Sequence, residues 1–142
     1  MNKVRSYEGE GITVRFEARR CIHAAECVTN LPGVFNVGNR PWIDAAGATI
    51  EEIVDVVHRC PSGALTYSRT DGGPPEPIPE NARMITTVKD GPLYIRGSVE
   101  VVDQEGSTLC VEPRAALCRC GESKNKPFCD NSHVEAGFSD SA

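Results

Sequence analysis

Three cysteines and one histidine, Cys118, Cys120, Cys129 and His133, fall within sixteen residues. Turn-forming residues such as Gly121, Ser123, Pro127 and Asn131 surround them, with almost no apolar run. Such a stretch cannot bury a core of its own, and its soft donors make a metal centre the natural means of holding it. One residue separates Cys118 from Cys120, whereas a structural zinc pair usually spans two to four. In an extended segment that gap turns both thiolates to the same side, which suits two ligands on one iron of a cluster. Cys129 and His133 are four positions apart, a spacing that shares one face of a helix and suits the other iron. A zinc knuckle is the competing reading.

A second group of donors lies in the first half: Cys21, His23, Cys27 and, far downstream, Cys60 followed by Pro61. A cysteine pair on a loop-to-helix turn plus a distant Cys-Pro is the arrangement of a mono-cluster ferredoxin. The proline fixes the exit of the chain and removes a backbone donor. Seven cysteines form an odd set that fits poorly with a closed disulfide framework, and in a reducing compartment they read as ligands. Cys110 falls outside both groups and reads as a buried thiol, more remotely as a missing ligand.

These donors must be positioned by two small modules. Asp71–Asn81 is rich in proline and glycine and has no periodicity, so it reads as an extended spacer. The predicted organisation is residues 1–70, a linker at 71–83, and residues 84–142. Neither module is comfortably stable on its core alone. In the first, Ile12, Val14 and Phe16 alternate with polar residues as in a half-buried strand. Residues 24–30 suit a short helix. Thr49 and Glu52 form a capping box before the apolar face of Ile50, Ile53, Val54 and Val57. A second strand is predicted at 64–68. Phe35 and Trp42 are assigned to the core, with shielding of a cluster from water as the lesser reading, and His58 to the helix surface. Arg19, Arg20 and Arg59 are assigned to solvent, with offsetting of cluster charge or guidance of an acidic redox partner as the lesser reading. In the second module strands are predicted at 84–88, 93–96, 99–102 and 108–111, then the ligand loop and a short helix near Asp130.

Composition narrows the function. A net charge of -5 argues against a general nucleic-acid binder. No apolar run is long enough to span a bilayer. The first ten residues lack the apolar centre of a signal peptide, so a cytoplasmic location is expected. No nucleophile–base arrangement, phosphate loop or dinucleotide fingerprint stands out, and the chain is not expected to be an enzyme.

Residues 84–138 resemble the CDGSH iron–sulfur (mitoNEET-like) family at Cys118, Cys120, Ser123, Pro127, Cys129, Asp130, Ser132 and His133. Asn131 stands where that family usually has glycine; asparagine is the next most tolerant residue for a left-handed backbone. The resemblance implies a 2Fe–2S cluster on Cys118, Cys120, Cys129 and His133. Asp130, Lys124 and Lys126 are expected to tune it. Residues 9–69 resemble the divergent 4Fe–4S mono-cluster ferredoxins, through Cys21-x-His23-x3-Cys27, Leu31-Pro32-Gly33-Val34-Phe35, Arg40-Pro41-Trp42-Ile43 and Cys60-Pro61-Ser62-Gly63-Ala64-Leu65. Ala24 stands where many ferredoxins place another cysteine. Cys21, Cys27 and Cys60 suffice for a 3Fe–4S cluster, and His23 would complete a 4Fe–4S one.

The expected fold class is α+β, a small ferredoxin-like module followed by a β-rich CDGSH module. The expected function is one-electron transfer by a two-cluster iron–sulfur protein with a protein redox partner. Redox or iron sensing, or cluster transfer, is the alternative. The CDGSH resemblance also implies a homodimer, and neither nucleic acid nor membrane is expected as a partner.

Overall fold

The computed structural model describes residues 4–77 and 83–141. Part of the predicted spacer, residues 78–82, lies outside them. Its opening residues form an ordered turn: Arg69 donates to both oxygens of Asp71, at 3.0 and 2.7 Å, and the Gly73 N–H donates to Asp71 at 2.9 Å. Helices and antiparallel strands are mixed, as the α+β expectation requires. The chain divides into two compact units. The first holds the residues up to Ala18, His23–Cys60 and Ala64–Glu76; the second gathers Arg19–Ile22 and Pro61–Gly63 with the chain from Pro77 onward.

In the first unit β1 (Val4–Gly9), β2 (Ile12–Glu17) and β3 (Leu65–Arg69) form an antiparallel sheet in that order. The alternation at Ile12, Val14 and Phe16 is that of β2, with Val14 opposite Tyr7 on one side and Tyr67 on the other. Strand β1 was not expected, because its residues VRSYEG carry little apolar pattern and most of them are exposed. Two helices complete the unit, α1 (Glu26–Asn30) and α2 (Ile50–His58).

The predicted capping box opens α2. The Thr49 side chain accepts from the Glu52 N–H, and the Glu52 carboxylate accepts from the Thr49 N–H. Ile53, Val56 and Val57 then bury against Ile12, Val14, Phe35, Ile43 and Leu65. Trp42 closes this core edge-on to Phe16, with ring centroids 4.9 Å apart. His58 departs from its expected surface position: it is half-buried, and its Nε2 lies 3.0 Å from the Tyr67 hydroxyl. The helix ends there, and the Cys60 N–H donates to the Val57 carbonyl.

In the second unit β4 (Arg83–Thr87) and β5 (Leu93–Gly97) form a hairpin, and β8 (Arg114–Leu117) pairs along the other side of β5. A separate ribbon pairs β6 (Val101–Val102) with β7 (Thr108–Cys110), with an irregular register at Val101 and Val102. The apolar centre is small: Ile95, Cys110, Ala115 and Phe128, with Val99, Val101 and Leu117 against them. A core this size supplies little burial energy, so the ligand loop cannot rely on it alone.

Candidate metal centre

Strand β8 delivers the C-terminal donors. Beyond Leu117 the chain continues beside residues 127–129: the Cys118 N–H donates to the Pro127 carbonyl, and the Cys129 N–H to the Ala116 carbonyl, both at 2.8 Å. Leu117 and Phe128 form an antiparallel bridge between these bonds. One short ladder therefore carries a cysteine on each strand. The Ser123 hydroxyl, buried, donates to the Phe128 carbonyl and accepts from the Asn125 N–H. Asp130 accepts from the backbone N–H groups of Lys124 and Ser132. Asp130 thereby staples two arms of the loop together.

The donors meet as two pairs. The sulfurs of Cys118 and Cys120 lie 3.7 Å apart, and the Cys129 sulfur lies 3.5 Å from His133 Nδ1. Two sulfurs at about 2.3 Å from one tetrahedral ion are separated by about 3.75 Å, and a sulfur with a nitrogen at about 2.0 Å by about 3.5 Å. Both spacings match the bite of a tetrahedral metal. Among the described residues, no group of three or more His, Cys, Asp or Glu is gathered as a single ion would need. Each pair, two thiols in one and a thiol with an imidazole in the other, offers two donors to a metal atom.

The second pair forms differently from the expectation. Cys129 precedes the short helix α3 (Ser132–Glu135), and the turn between them passes through Asn131 at φ 77. That left-handed residue, not helical spacing, brings His133 back to Cys129. Glycine adopts this backbone without a Cβ penalty, so Asn131→Gly should leave stability unchanged or raise it by about 0.5 kcal/mol. Asn131→Val should lower it by at least about 1 kcal/mol. Denaturant titration of the chain as purified measures both.

Backbone N–H groups aim at the sulfurs. Gly121 donates to Cys118, Glu122 to Cys120 and Asn131 to Cys129, at 3.3, 3.3 and 3.4 Å. Burial acts to raise the Cys118 thiol, yet bonds from the Ser123 and Gly121 N–H groups outweigh it and lower the pKa. At Cys129 burial wins and the pKa is raised, with the charges of Cys118, Asp130 and Cys120 adding to it. Cys129 thus feels both thiols of the other pair. Ionising these thiols together would set like charges against one another, and bound cations would relieve that repulsion.

In the N-terminal group, Cys27 sits in the first turn of α1 and Cys60 just beyond α2, both half-buried against the core of the first unit. The loop ahead of Cys27 is tight, with His23 at φ 56 and Ala25 at φ 63. His23 is exposed. Cys21 belongs to the 19–22 segment that groups with the second unit. In the Cys60-Pro61-Ser62-Gly63 turn, Gly63 has φ +74, and a Cβ there would stand 2.5 Å from the Arg114 carbonyl oxygen. Only glycine fits.

Arg20, expected in solvent, is buried in the second unit. It donates to the Ser62 carbonyl at 2.9 Å and to the Arg114 carbonyl at 3.4 Å. It also pairs with Glu112 at 3.7 Å, stands 3.6 Å from the Cys110 sulfur and lies over the Phe128 ring at 4.6 Å. Nothing in the local sequence marks it beyond its place beside Cys21. Cys110 is buried as expected, and its thiol donates to Glu112 at 2.8 Å. Burial first, and that bond second, push its pKa up to about 11. A thiol raised in the folded state favours folding fully below its unfolded pKa, and loses that contribution as pH rises through the folded value. Wild type should therefore lose stability relative to Cys110→Ala between about pH 9 and 11, as measured by denaturation at each pH.

Two family models point to an iron–sulfur protein. A family model described as divergent 4Fe-4S mono-cluster matches residues 7–70, and one described as iron-binding zinc finger CDGSH type matches residues 90–134. The chain is 40% identical over 63 residues to the "Uncharacterized protein YjdI" of Escherichia coli strain K12; the match covers 44% of this chain and 83% of that relative. The protein of the same name from Escherichia coli O157:H7 matches to the same extent. The chain belongs to the divergent 4Fe-4S mono-cluster family, followed here by a CDGSH-type iron-binding domain.

Proposed function

We propose that this chain carries electrons one at a time through two iron–sulfur clusters. The observation that carries the reading is the pairing of Cys118 with Cys120 and of Cys129 with His133, each at the bite of a tetrahedral metal. Those four residues would hold a 2Fe–2S cluster in the CDGSH module. Cys21, Cys27 and Cys60 would hold a 3Fe–4S cluster in the ferredoxin-like module, or a 4Fe–4S cluster with His23 as the fourth ligand. Such clusters supply reversible one-electron chemistry. The chain's own contribution is to shape it: a neutral imidazole in place of one thiolate raises the C-terminal potential, and the N–H groups of Gly121, Glu122 and Asn131 stabilise charge on sulfur.

The partner in this reading is another redox protein in the cytoplasm, and the chain performs no catalysis of its own. A homodimer would cover Ile85, which is opposite buried Ile95 on the same face of the sheet yet is 68% exposed. Redox or iron sensing, or cluster transfer, is supported by the half-buried Cys118 and Cys120 beside the exposed Gly121 and Glu122. Iron, sulfide and zinc per chain after oxygen-free purification, with electron paramagnetic resonance before and after reduction, decide between them. Iron and sulfide with reversible reduction support the carrier. A three-iron cluster gives a signal when oxidised. Zinc without sulfide ends the proposal, and transfer of intact cluster to an apo-acceptor faster than electron exchange favours the donor.

A further inference from the structure

Arg119 stands between two of the paired thiols, but its guanidinium is occupied elsewhere. Its Nε donates to the Gly91 carbonyl at 2.7 Å, and its Nη2 to the Val88 carbonyl at 2.6 Å and to Asp140 Oδ2 at 2.7 Å. The Phe138 ring lies 5.3 Å from the guanidinium carbon. Asp140 and Asp90 bind each other reciprocally: each backbone N–H donates to the other's carboxylate at 3.0 Å. Residues 138–140 and the 88–91 turn are thus fastened to the Cys118–Cys120 segment through a single side chain. That turn is itself closed by the Gly91 N–H on the Val88 carbonyl, with Asp90 held at φ 54. His133 lies directly behind it: a Cβ built on Gly91 would stand 3.6 Å from His133 Nε2.

We propose that Arg119 is a positioning residue of the metal centre, which together with Asp140 holds the 88–91 turn against the outer nitrogen of His133. The imidazole then has one ring edge toward Cys129 and the other facing the Cβ-free side of Gly91, so its orientation is set before metal arrives. A fixed imidazole rebinds quickly after each transient release, and a bound cluster leaves slowly. Lysine at 119 could not reproduce this, because the two carbonyls and the carboxylate need donors spread along a planar fork.

The inference rests on the two-cluster reading for its effect on a bound cluster; the clamp itself is testable without one. Arg119→Gln and Asp140→Ala should each lose C-terminal cluster absorbance to a chelator, at fixed pH, roughly fivefold faster than wild type. Pulsed paramagnetic resonance of the reduced protein should show an altered coupling to the His133 nitrogen. Asp140→Glu should restore both. Arg69→Ala, which breaks a similar exposed pair with Asp71, should change neither. Asp140→Ala keeps the bonds of Arg119 to the turn, so it remains informative if Arg119→Gln folds poorly. Unchanged loss rates together with an unchanged nitrogen coupling overturn the proposal. If no sulfide is present, the two-cluster reading fails, and the ring resonances of His133 in the chain as purified take over as the readout. A shift in both variants supports the clamp, and no shift overturns it.

Discussion

Replacing His133 with Cys is expected to lower the potential of the C-terminal centre by on the order of 100–200 mV and to keep its visible absorbance to lower pH. The charge argument is direct. A thiolate adds about one negative charge where a neutral imidazole stood, so the oxidised form gains stability over the reduced one. The acid argument follows from ligand chemistry: a proton competes for the same lone pair that binds metal, and a charged thiolate holds ferric iron more strongly. His133 Nδ1 already lies 3.5 Å from the Cys129 sulfur, and α3 behind it is only four residues long, so its backbone can adjust to the shorter side chain. Potentiometric titration and an absorbance series in acid measure the two effects. An unchanged potential at full iron content would remove His133 from the ligand set.

Arg20→Leu should destabilise the second unit by about 2–3 kcal/mol. Leucine keeps much of the volume but removes every donor. The Ser62 and Arg114 carbonyls lose their bonds, and Glu112 loses its cation. Breaking one side of a buried pair typically costs about 3–5 kcal/mol; Glu112 retains some access to water, and the figure is reduced accordingly. Glu112→Gln in the same background should recover part of the loss, because an uncharged partner no longer needs the guanidinium. Urea denaturation followed by circular dichroism measures both, and a loss below about 0.5 kcal/mol would show that Arg20 is replaceable.

The motifs behind the two family matches were the most legible part of the chain. A one-residue gap, a Cys-Asp-x-Ser-His ending and a distant Cys-Pro are local patterns, and local patterns survive in one dimension. The capping box of Thr49 and Glu52 was legible for the same reason. Strand β1 was not, because an exposed edge needs no alternation. Strand β8 was hidden by Arg114, Ala115 and Ala116, which carry little strand preference; the pairing of Ile95 with Ala115 makes it a strand. His58 and Arg20 were assigned to the surface on polarity alone. Tyr67 and Glu112, their partners, lie nine and ninety-two residues away in the chain, and no local rule links them. The way in which Cys129 meets His133 was also misjudged: the spacing suggested a helix, whereas one left-handed asparagine does the work.

The small apolar centre of the second unit has a thermal consequence. Ile95, Cys110, Ala115 and Phe128 bury little hydrocarbon, and the heat capacity gained on unfolding scales with that area. The stability curve of this unit is therefore shallow, with only a weak optimum. Temperature moves such a unit less than ligand supply does, since a ligand that binds only the folded chain adds stability with the logarithm of its concentration over its dissociation constant. Iron-poor and iron-replete conditions would then differ more in the lifetime of this unit than warm and cold ones.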